Sequence, residues 1–242
     1  MPRSISIIIP AYNEQDRLPE TIRRIEHYFG GANWDSHEIL VVDDGSTDDT
    51  AGAAGQFAKN NPNIRLLRNP GNRGKGFSVR HGMLEARGDW RLFSDADLSA
   101  PIEELEKLRC AVATGKFEIA IGSRAVDRSL IGVHQPGMRE SMGRIFNLVM
   151  RASTGLDIAD TQCGFKLFRG DVAQDVFSRQ KLERFGFDAE VLYIAHRRGH
   201  NIAEVPVRWN HVEGSKVSMF TGLHAFAELL EIRVNGMLGK YR

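Results

Sequence analysis

Only two cysteines, Cys110 and Cys163, occur in 242 residues. That is too few for the disulfide frameworks that hold small secreted domains together, so a reducing compartment suits the chain. Cys110 falls within a helical pattern, where a small buried apolar residue is expected. Long apolar runs are also missing: no window of about 18 apolar residues occurs, and the opening "MPRSISIIIPAYNE" is shorter than a signal-peptide core with its cleavage site. The expectation is a cytoplasmic chain, or one lying peripherally on the cytoplasmic face of a membrane, with no transmembrane helix. An excess of either charge is lacking too. With 32 Lys and Arg against 31 Asp and Glu, the net charge of +1 offers no bulk attraction for nucleic acid, so no such partner is expected. Electrostatic function has to come from local clusters.

Familiar nucleotide and metal signatures fail as well. "NPGNRGKGFS" departs from the P-loop spacing G-x-x-x-x-G-K-[ST], because Phe77 follows Gly76, and G-x-G-x-x-G is absent. His196 and His200 in "HRRGH" lack a third ligand and the glutamate of a zinc hydrolase, which favours a solvated helix end. "DTQCG" holds no base positioned to activate Cys163.

What the sequence does hold is an alternation of buried strands and helices. "ISIIIP", Ile5–Pro10, is a continuous β-branched run that reads as a strand covered on both faces. Leu18, Ile22, Ile25 and Phe29 follow at helical spacing and Gly30-Gly31 ends them. "EILVV", Glu38–Val42, is a second strand, with a helix capped at Ser46 or Thr47 after it. "NIRLLRN", "WRLFSD" and "FEIAIGSR" read as three more strands, with helices after the glycine-rich turn and over Ile102–Thr114. This rhythm predicts a single α/β domain built on a mostly parallel, doubly wound sheet, with a ligand crevice at the carboxyl ends of the strands. Beyond Arg124 the rhythm breaks down. "GFKLFRGDVAQDVF" reads as strand or turn, and "MRESMGRIFNLVMRASTG" and Met219–Tyr241 read as amphipathic helices, the latter with Leu223, Phe226, Leu230 and Met237 in register.

Acids gather where the crevice is expected. Glu14 follows strand one, Asp43 and Asp44 close strand two, and Asp95 and Asp97 close strand four. If that last segment is extended, residues two apart point the same way, and both carboxylates face one cation. Mg²⁺ or Mn²⁺ fits such oxygen ligands, because these ions take one or two carboxylates and complete their shell with phosphate and water. The alternative is that the acids only cap the following helix. The glycine-rich loop with Arg73 and Lys75 can approach a diphosphate, or it can be a plain turn. Arg124, Arg139, Arg144 and Lys216 make a cationic site beside the acids if the fold gathers them.

Taken in order, "SIIIPAYNE", "EILVVDDGSTDDT", "NRGKG", "SDADLSAP", "GSR", "DTQCGFKLF" and "EVPVRWNHVEGSK" resemble the family-2 glycosyltransferases of the A-type fold. Within them the likeness is to the dolichyl-phosphate β-glucosyltransferase and polyprenyl-phosphate group, over Ile5 to about Lys216. The resemblance implies an inverting, metal-dependent transfer of a hexose, glucose from UDP-glucose, onto a polyprenyl monophosphate. It also implies a nucleotide-sugar-binding half over about 1–124 and an acceptor-binding half over about 125–242. Pro10, Ala11, Tyr12, Asn13 and Glu14, Asp43, Asp44, Gly45 and Ser46, and Arg73, Gly74, Lys75 and Gly76 line the donor site in this reading, with Asp95, Ala96 and Asp97 as the Asp-x-Asp motif. Asp95 and Asp97 hold Mg²⁺ or Mn²⁺, Asp97 more directly. Arg124 and Arg139 bind the acceptor phosphate, Gln162 lies on the acceptor side, and Ser215 and Lys216 close over the phosphates. Where similar mannose synthases place a glutamine after the motif, this chain has Ser99. Eukaryotic relatives carry an N-terminal transmembrane helix, whereas this chain starts at strand one. The implied partners are a nucleotide sugar, a polyprenyl phosphate and a membrane surface touched by the amphipathic segments, which serve otherwise as core or homodimer helices.

The competing expectations are a GDP-mannose-dependent enzyme, transfer to a soluble hydroxyl, which needs a carboxylate base, and a non-catalytic nucleotide-sugar-binding protein. A nucleotidyltransferase is disfavoured by the opening "PAYNE".

Overall fold

The computed structural model describes residues 4–133, 148–151, 154–212 and 219–242, with side chains in the last stretch from residue 227 onward. Its frame is a seven-stranded sheet. The strands are β1 Ser4–Ala11, β2 Ser36–Asp43, β3 Ile64–Arg68, β4 Trp90–Ser94, β5 Ile119–Ser123, β7 Phe165–Arg169 and β8 Ile202–Pro206, in spatial order β3-β2-β1-β4-β7-β5-β8. A two-stranded sheet pairs β6 Ile131–Val133 with β9 Trp209–Asn210.

The apolar runs explain the layering. Along β1, Ile5, Ile7 and Ile9 pack with Leu18, Ile22 and Ile25 of α1 (Leu18–Gly31) and with Leu105 and Leu108 of α4 (Leu105–Ala113). Ile8 points to the opposite face, against Val79 and Met83 of α3 (Lys75–Glu85). Alternate residues of one strand therefore serve two cores, so the strand is apolar throughout. Helices α5 (Gly170–Arg179) and α6 (Phe187–Arg197) share the α3 face, and α7 (Met219–Met237) contributes Leu229 and Ile232 to that same core.

Two local features differ from the sequence expectations, the start of the helix after β2 and the exposure of Cys110, and two sharpen them, β7 and α7. The segment "GFKLF" forms a full strand, β7, inserted antiparallel between β4 and β5, with Phe165 opposite Ser94. Its direction delivers the start of the strand, and the "DTQCG" segment before it, to the carboxyl end of β4. Helix α2 (Thr50–Asn60) starts later than Ser46 or Thr47. Ser46 instead accepts a bond from the Asn13 N–H at 3.0 Å, tying the loops after β1 and β2 together. Cys110 is exposed, because α4 buries Leu105, Leu108 and Val112 and position 110 lies on its outer side. On α7, Leu230 and Met237 point outward, 65% and 69% exposed, along with Val234 and, just past the helix, Leu238. Arg139, Arg144, Ser215 and Lys216 lie outside the described residues, as does most of the Met138–Arg151 segment, of which residues 148–151 are helical. Among the described residues no helix is long and apolar enough to cross a membrane.

Candidate functional site

The two acids of "SDADLS" sit on a turn, not on the strand's extension. β4 stops at Ser94, the Leu98 N–H bonds to the Asp95 carbonyl at 3.2 Å, and Leu98 takes φ +46°. A non-glycine residue there is costly, so the turn has to be held by its surroundings. Several bonds do so. The Asp95 N–H donates to Gly164 O (3.1 Å), Thr21 Oγ1 to Ala96 O (2.6 Å), and the Asn210 N–H to Ser99 O (2.9 Å). Asp97 Oδ1 accepts the Ser99 N–H at 2.9 Å. Both carboxylates remain partly exposed.

Gly164 has a steric role in this arrangement. A Cβ built on it falls on the Asp95 carboxylate. Gly164→Ala is therefore expected to turn Asp95 away and lower turnover about a hundredfold, with melting temperature within about 2 °C of wild type. Comparing turnover with thermal unfolding checks this; undiminished turnover removes Asp95 from the working geometry.

The loops after β1 and β2 form one unit. Asn13, at φ +54°, accepts the Thr47 N–H on Oδ1 at 2.8 Å, and the Glu14 N–H donates to Thr50 Oγ1 at 2.7 Å. The Glu14 carboxylate pairs with Arg17 at 2.7 Å, in the turn that leads into α1. Pro10 and Ala11 close β1 beside Val42 and Asp43, and Tyr12 is partly exposed next to them. Asp43 Oδ1 accepts the Ser46 N–H at 3.1 Å. Gly45 turns at φ +72° with its Cα against the backbone of Gly71 and Asn72, where a side chain does not fit.

Asp44 is turned to internal work. Its carboxylate accepts from the N–H groups of Arg73 (3.0 Å) and Gly74 (2.8 Å) and from Asn69 Nδ2 (2.8 Å). The next amides of the glycine-rich loop are also spent, Gly76 N–H on Arg184 O and Phe77 N–H on Glu183 O. Arg73 pairs with Glu183 at 2.5 Å and lies over the Phe77 ring. The loop thus directs a side-chain cation at the acidic turn instead of a row of backbone amides. That cation is Lys75, whose Nζ is 2.6 Å from Asp95 Oδ1. Burial by itself lowers the Lys75 ammonium, but Asp95, Asp188 and Asp97 outweigh it and hold it above the ordinary lysine range.

Arg124, just past the end of β5 and near enough for its charge to interact with Asp95, forms a two-pronged pair with buried Asp160, Nε to Oδ2 at 2.7 Å and Nη2 to Oδ1 at 2.8 Å. The Arg124 N–H joins the same carboxylate, and the guanidinium lies 5.4 Å from the Trp209 ring centre. Burial raises the Asp160 carboxyl, yet Arg124 more than offsets it, and Asp160 stays below the usual carboxylate range. Two of five side-chain N–H donors are used in this fork, and the other three make no hydrogen bond among the described residues. Gln162 Nε2 is buried and finds no acceptor among them. Beneath the site, Lys166 and Asp188, 1% and 3% exposed, form an ion pair, and Lys166 Nζ also donates to Cys163 O at 2.7 Å.

Among the described residues no group of three or more acids, histidines or cysteines could hold a metal ion. The acidic turn offers two carboxylates, one already paired with a cation. That donor set fits Mg²⁺ or Mn²⁺ completed by a ligand's phosphate oxygens, not an all-protein cage. His196 is exposed at the end of α6, and His200 meets Asp175 at 3.2 Å. Sequence reasoning had missed the partners: Asp160, Lys166, Asp188 and the Lys75–Asp95 pairing. A lysine within apolar "FKLF" and an acid in "GFDAEV" were the available signals.

Comparison with known proteins agrees with this architecture. The family model for glycosyl transferase family 2 matches residues 6–177. A dolichyl-phosphate beta-glucosyltransferase of Trichomonas vaginalis is 37% identical over 238 residues, covering 95% of this chain and 73% of its own length. The dolichyl-phosphate beta-glucosyltransferase of Homo sapiens is 33% identical over 252 residues, with 99% and 78% covered. Glucosyl-3-phosphoglycerate synthase from Mycobacterium tuberculosis, crystallised with Mn²⁺, UDP-glucose and phosphoglyceric acid, superposes with a TM-score of 0.68 at 18% identity, covering 96% of this chain and 80% of that one.

Proposed function

Because this chain belongs to glycosyl transferase family 2 and is a hexosyltransferase, we propose that it moves glucose from UDP-glucose, with inversion and with Mg²⁺ or Mn²⁺, onto dolichyl or a related polyprenyl monophosphate. The observation that carries this reading is the neighbourhood of Asp95: an acidic turn suited to a diphosphate-bound cation, with an arginine held by Asp160 close enough for its charge to interact with Asp95. The relatives named as dolichyl-phosphate beta-glucosyltransferases support the acceptor and the sugar.

The chemistry follows from the charges. A lipid monophosphate is anionic near pH 7, so its oxygen attacks the anomeric carbon without a protein base. Asp95 and Asp97 would hold the metal, which when bound neutralises charge on the departing nucleoside diphosphate. Attack from the face opposite the leaving group turns an α-linked donor into a β-linked product. Arg124, its plane set by Asp160 and by Trp209, offers its remaining N–H donors to the acceptor phosphate. Arg139, Gln162, Ser215 and Lys216 complete the acceptor and phosphate side of the proposal. Around the nucleotide, the loops of Pro10–Glu14 and Asp43–Ser46 supply a rigid wall, since each is bonded to the other. Asp44 contributes by shaping the Arg73–Gly74 backbone.

A lipid acceptor calls for a membrane surface. The outward row of Leu230, Val234, Met237 and Leu238 on and just past α7, beside exposed Arg233 and Lys240, gives the chain a face suited to anionic headgroups from the cytoplasmic side.

The test incubates the protein with Mg²⁺ or Mn²⁺, polyprenyl phosphate and radiolabelled UDP-glucose or GDP-mannose, and counts label extracted into organic solvent. Label from UDP-glucose, lost with EDTA, is the expected result; label only from GDP-mannose reassigns the donor, and none from either overturns the reading. In the same assay, Arg124→Ala is expected to lower kcat/KM for the lipid phosphate about a hundredfold while UDP affinity stays within about twofold. Full activity of that variant excludes Arg124 from acceptor binding.

A further inference from the structure

Lys75 occupies an unusual place between the loop that carries it and the acids it meets. The loop is clamped: Gly74 and Gly76 press against the 182–184 backbone so closely that a Cβ would lie 2.6 Å from Glu183 O and 2.8 Å from Arg184 O. Its amides at 73, 74, 76 and 77 are all satisfied within the protein. From this fixed base the flexible lysine stem reaches Asp95 Oδ1, with the ammonium 5.2 Å from the Phe93 ring centre. Lys166 Nζ lies 5.5 Å from the same ring and is itself paired with Asp188. Lys75 thus lies within the attraction of Asp95, Asp188 and Asp97, and Lys166 is paired with Asp188.

We infer that Lys75 is a resident counter-ion for the acidic turn, which holds Asp95 in the absence of donor and exchanges it for donor phosphate when a metal-bound nucleoside diphosphate arrives. This inference rests on the donor and metal reading given above. A bare divalent ion approaching Asp95 and Asp97 meets an ammonium already on Asp95 and is repelled by it. A nucleoside diphosphate changes the balance twice: it brings oxygen ligands for the metal, and it gives Lys75 an anionic partner in place of Asp95. Metal and nucleotide must then bind cooperatively, and by thermodynamic linkage each strengthens the other equally. A lysine suits this role better than an arginine fork, because its point charge on four methylenes can change partners without a fixed geometry.

The experiment titrates Mn²⁺ alone, and Mn²⁺ with UDP, into wild type, Lys75→Met, Lys75→Gln and Lys75→Arg, reading free Mn²⁺ by electron paramagnetic resonance. Wild type should bind Mn²⁺ weakly alone and about tenfold or more tightly with UDP. Lys75→Met and Lys75→Gln should bind Mn²⁺ alone about tenfold more tightly than wild type, with a smaller gain from UDP, while Lys75→Arg stays near wild type. These neutral variants should also lose turnover, so metal affinity and activity move in opposite directions. If wild type shows the UDP-dependent gain but neither neutral variant binds Mn²⁺ alone more tightly, the counter-ion role is wrong and the donor reading stands. If no protein binds Mn²⁺ even with UDP, both fail together.

Discussion

Replacing Asp97 with alanine is expected to lower turnover by about a thousandfold, roughly 4 kcal/mol of transition-state stabilisation, and Asp97→Asn is expected to lose nearly as much. The pair of variants separates two roles of one side chain. Asp97 Oδ1 accepts the Ser99 N–H at 2.9 Å and so helps to hold a turn in which Leu98 stands at φ +46°. Asparagine keeps that acceptor, and with it the turn, but removes the negative charge that a divalent ion requires. If the acids only stabilise local structure, Asp97→Asn should be close to wild type and Asp97→Ala should be the damaged one. If they hold a cation against a diphosphate, both variants should be inactive, with Asp97→Asn unchanged in melting temperature. Steady-state turnover at saturating donor, set beside thermal unfolding of each variant, decides between them. A wild-type rate from Asp97→Asn removes the metal reading at this residue.

The strands and the loops at their ends were legible because each follows a local rule. "ISIIIP" and "EILVV" are apolar without interruption since helices cover both faces of the sheet, and their carboxyl ends mark the crevice. The Asp-x-Asp segment was legible as a site for the wrong local reason. Its residues were expected to share a face through strand alternation, yet they sit on a turn bonded to α1, β9 and Gly164. Long-range pairing accounts for the rest. Asp44 and Asp43 are neighbours in sequence, but only the fold decides that Asp44 is consumed by the Arg73 and Gly74 amides, 29 and 30 positions away. The segment of β7 reads from the sequence only as strand or turn, because a lysine in the middle of "FKLF" breaks the pattern of a buried strand, and its antiparallel insertion follows from the fold. That lysine is tolerated because Asp188, from a helix beginning 21 residues later, supplies its counter-charge. The outward row on α7 shows the same limit, since periodicity gives a stripe but not what the stripe faces.

The Lys166–Asp188 pair, buried on both sides, is expected to carry a large stability effect. Surface ion pairs such as Arg23–Glu20, with both side chains more than half exposed, are worth about 0–1 kcal/mol. Lys166 and Asp188 are almost fully buried, so Lys166→Ala or Asp188→Ala strands a charge in the core and should cost about 3–5 kcal/mol, roughly a 10 °C fall in melting temperature. The pair itself is a poor source of stability. Burial pushes the Asp188 carboxyl above its ordinary range, and Lys166 and Lys75 pull it down without fully offsetting that. Replacing both partners by apolar residues, Lys166→Met with Asp188→Leu, should therefore recover most of the lost stability. Turnover should not return with it. Lys166 also holds Cys163 O at 2.7 Å, one residue before the glycine on which the Asp95 carboxylate rests. Without that bond the acidic turn loses one of its supports. Urea unfolding of the two single variants and the double variant, read beside their turnover, tests both halves of the argument. Single variants within about 1 kcal/mol of wild type would show that the core tolerates the lone charge, and a fully active double variant would show that the pair does not position Asp95.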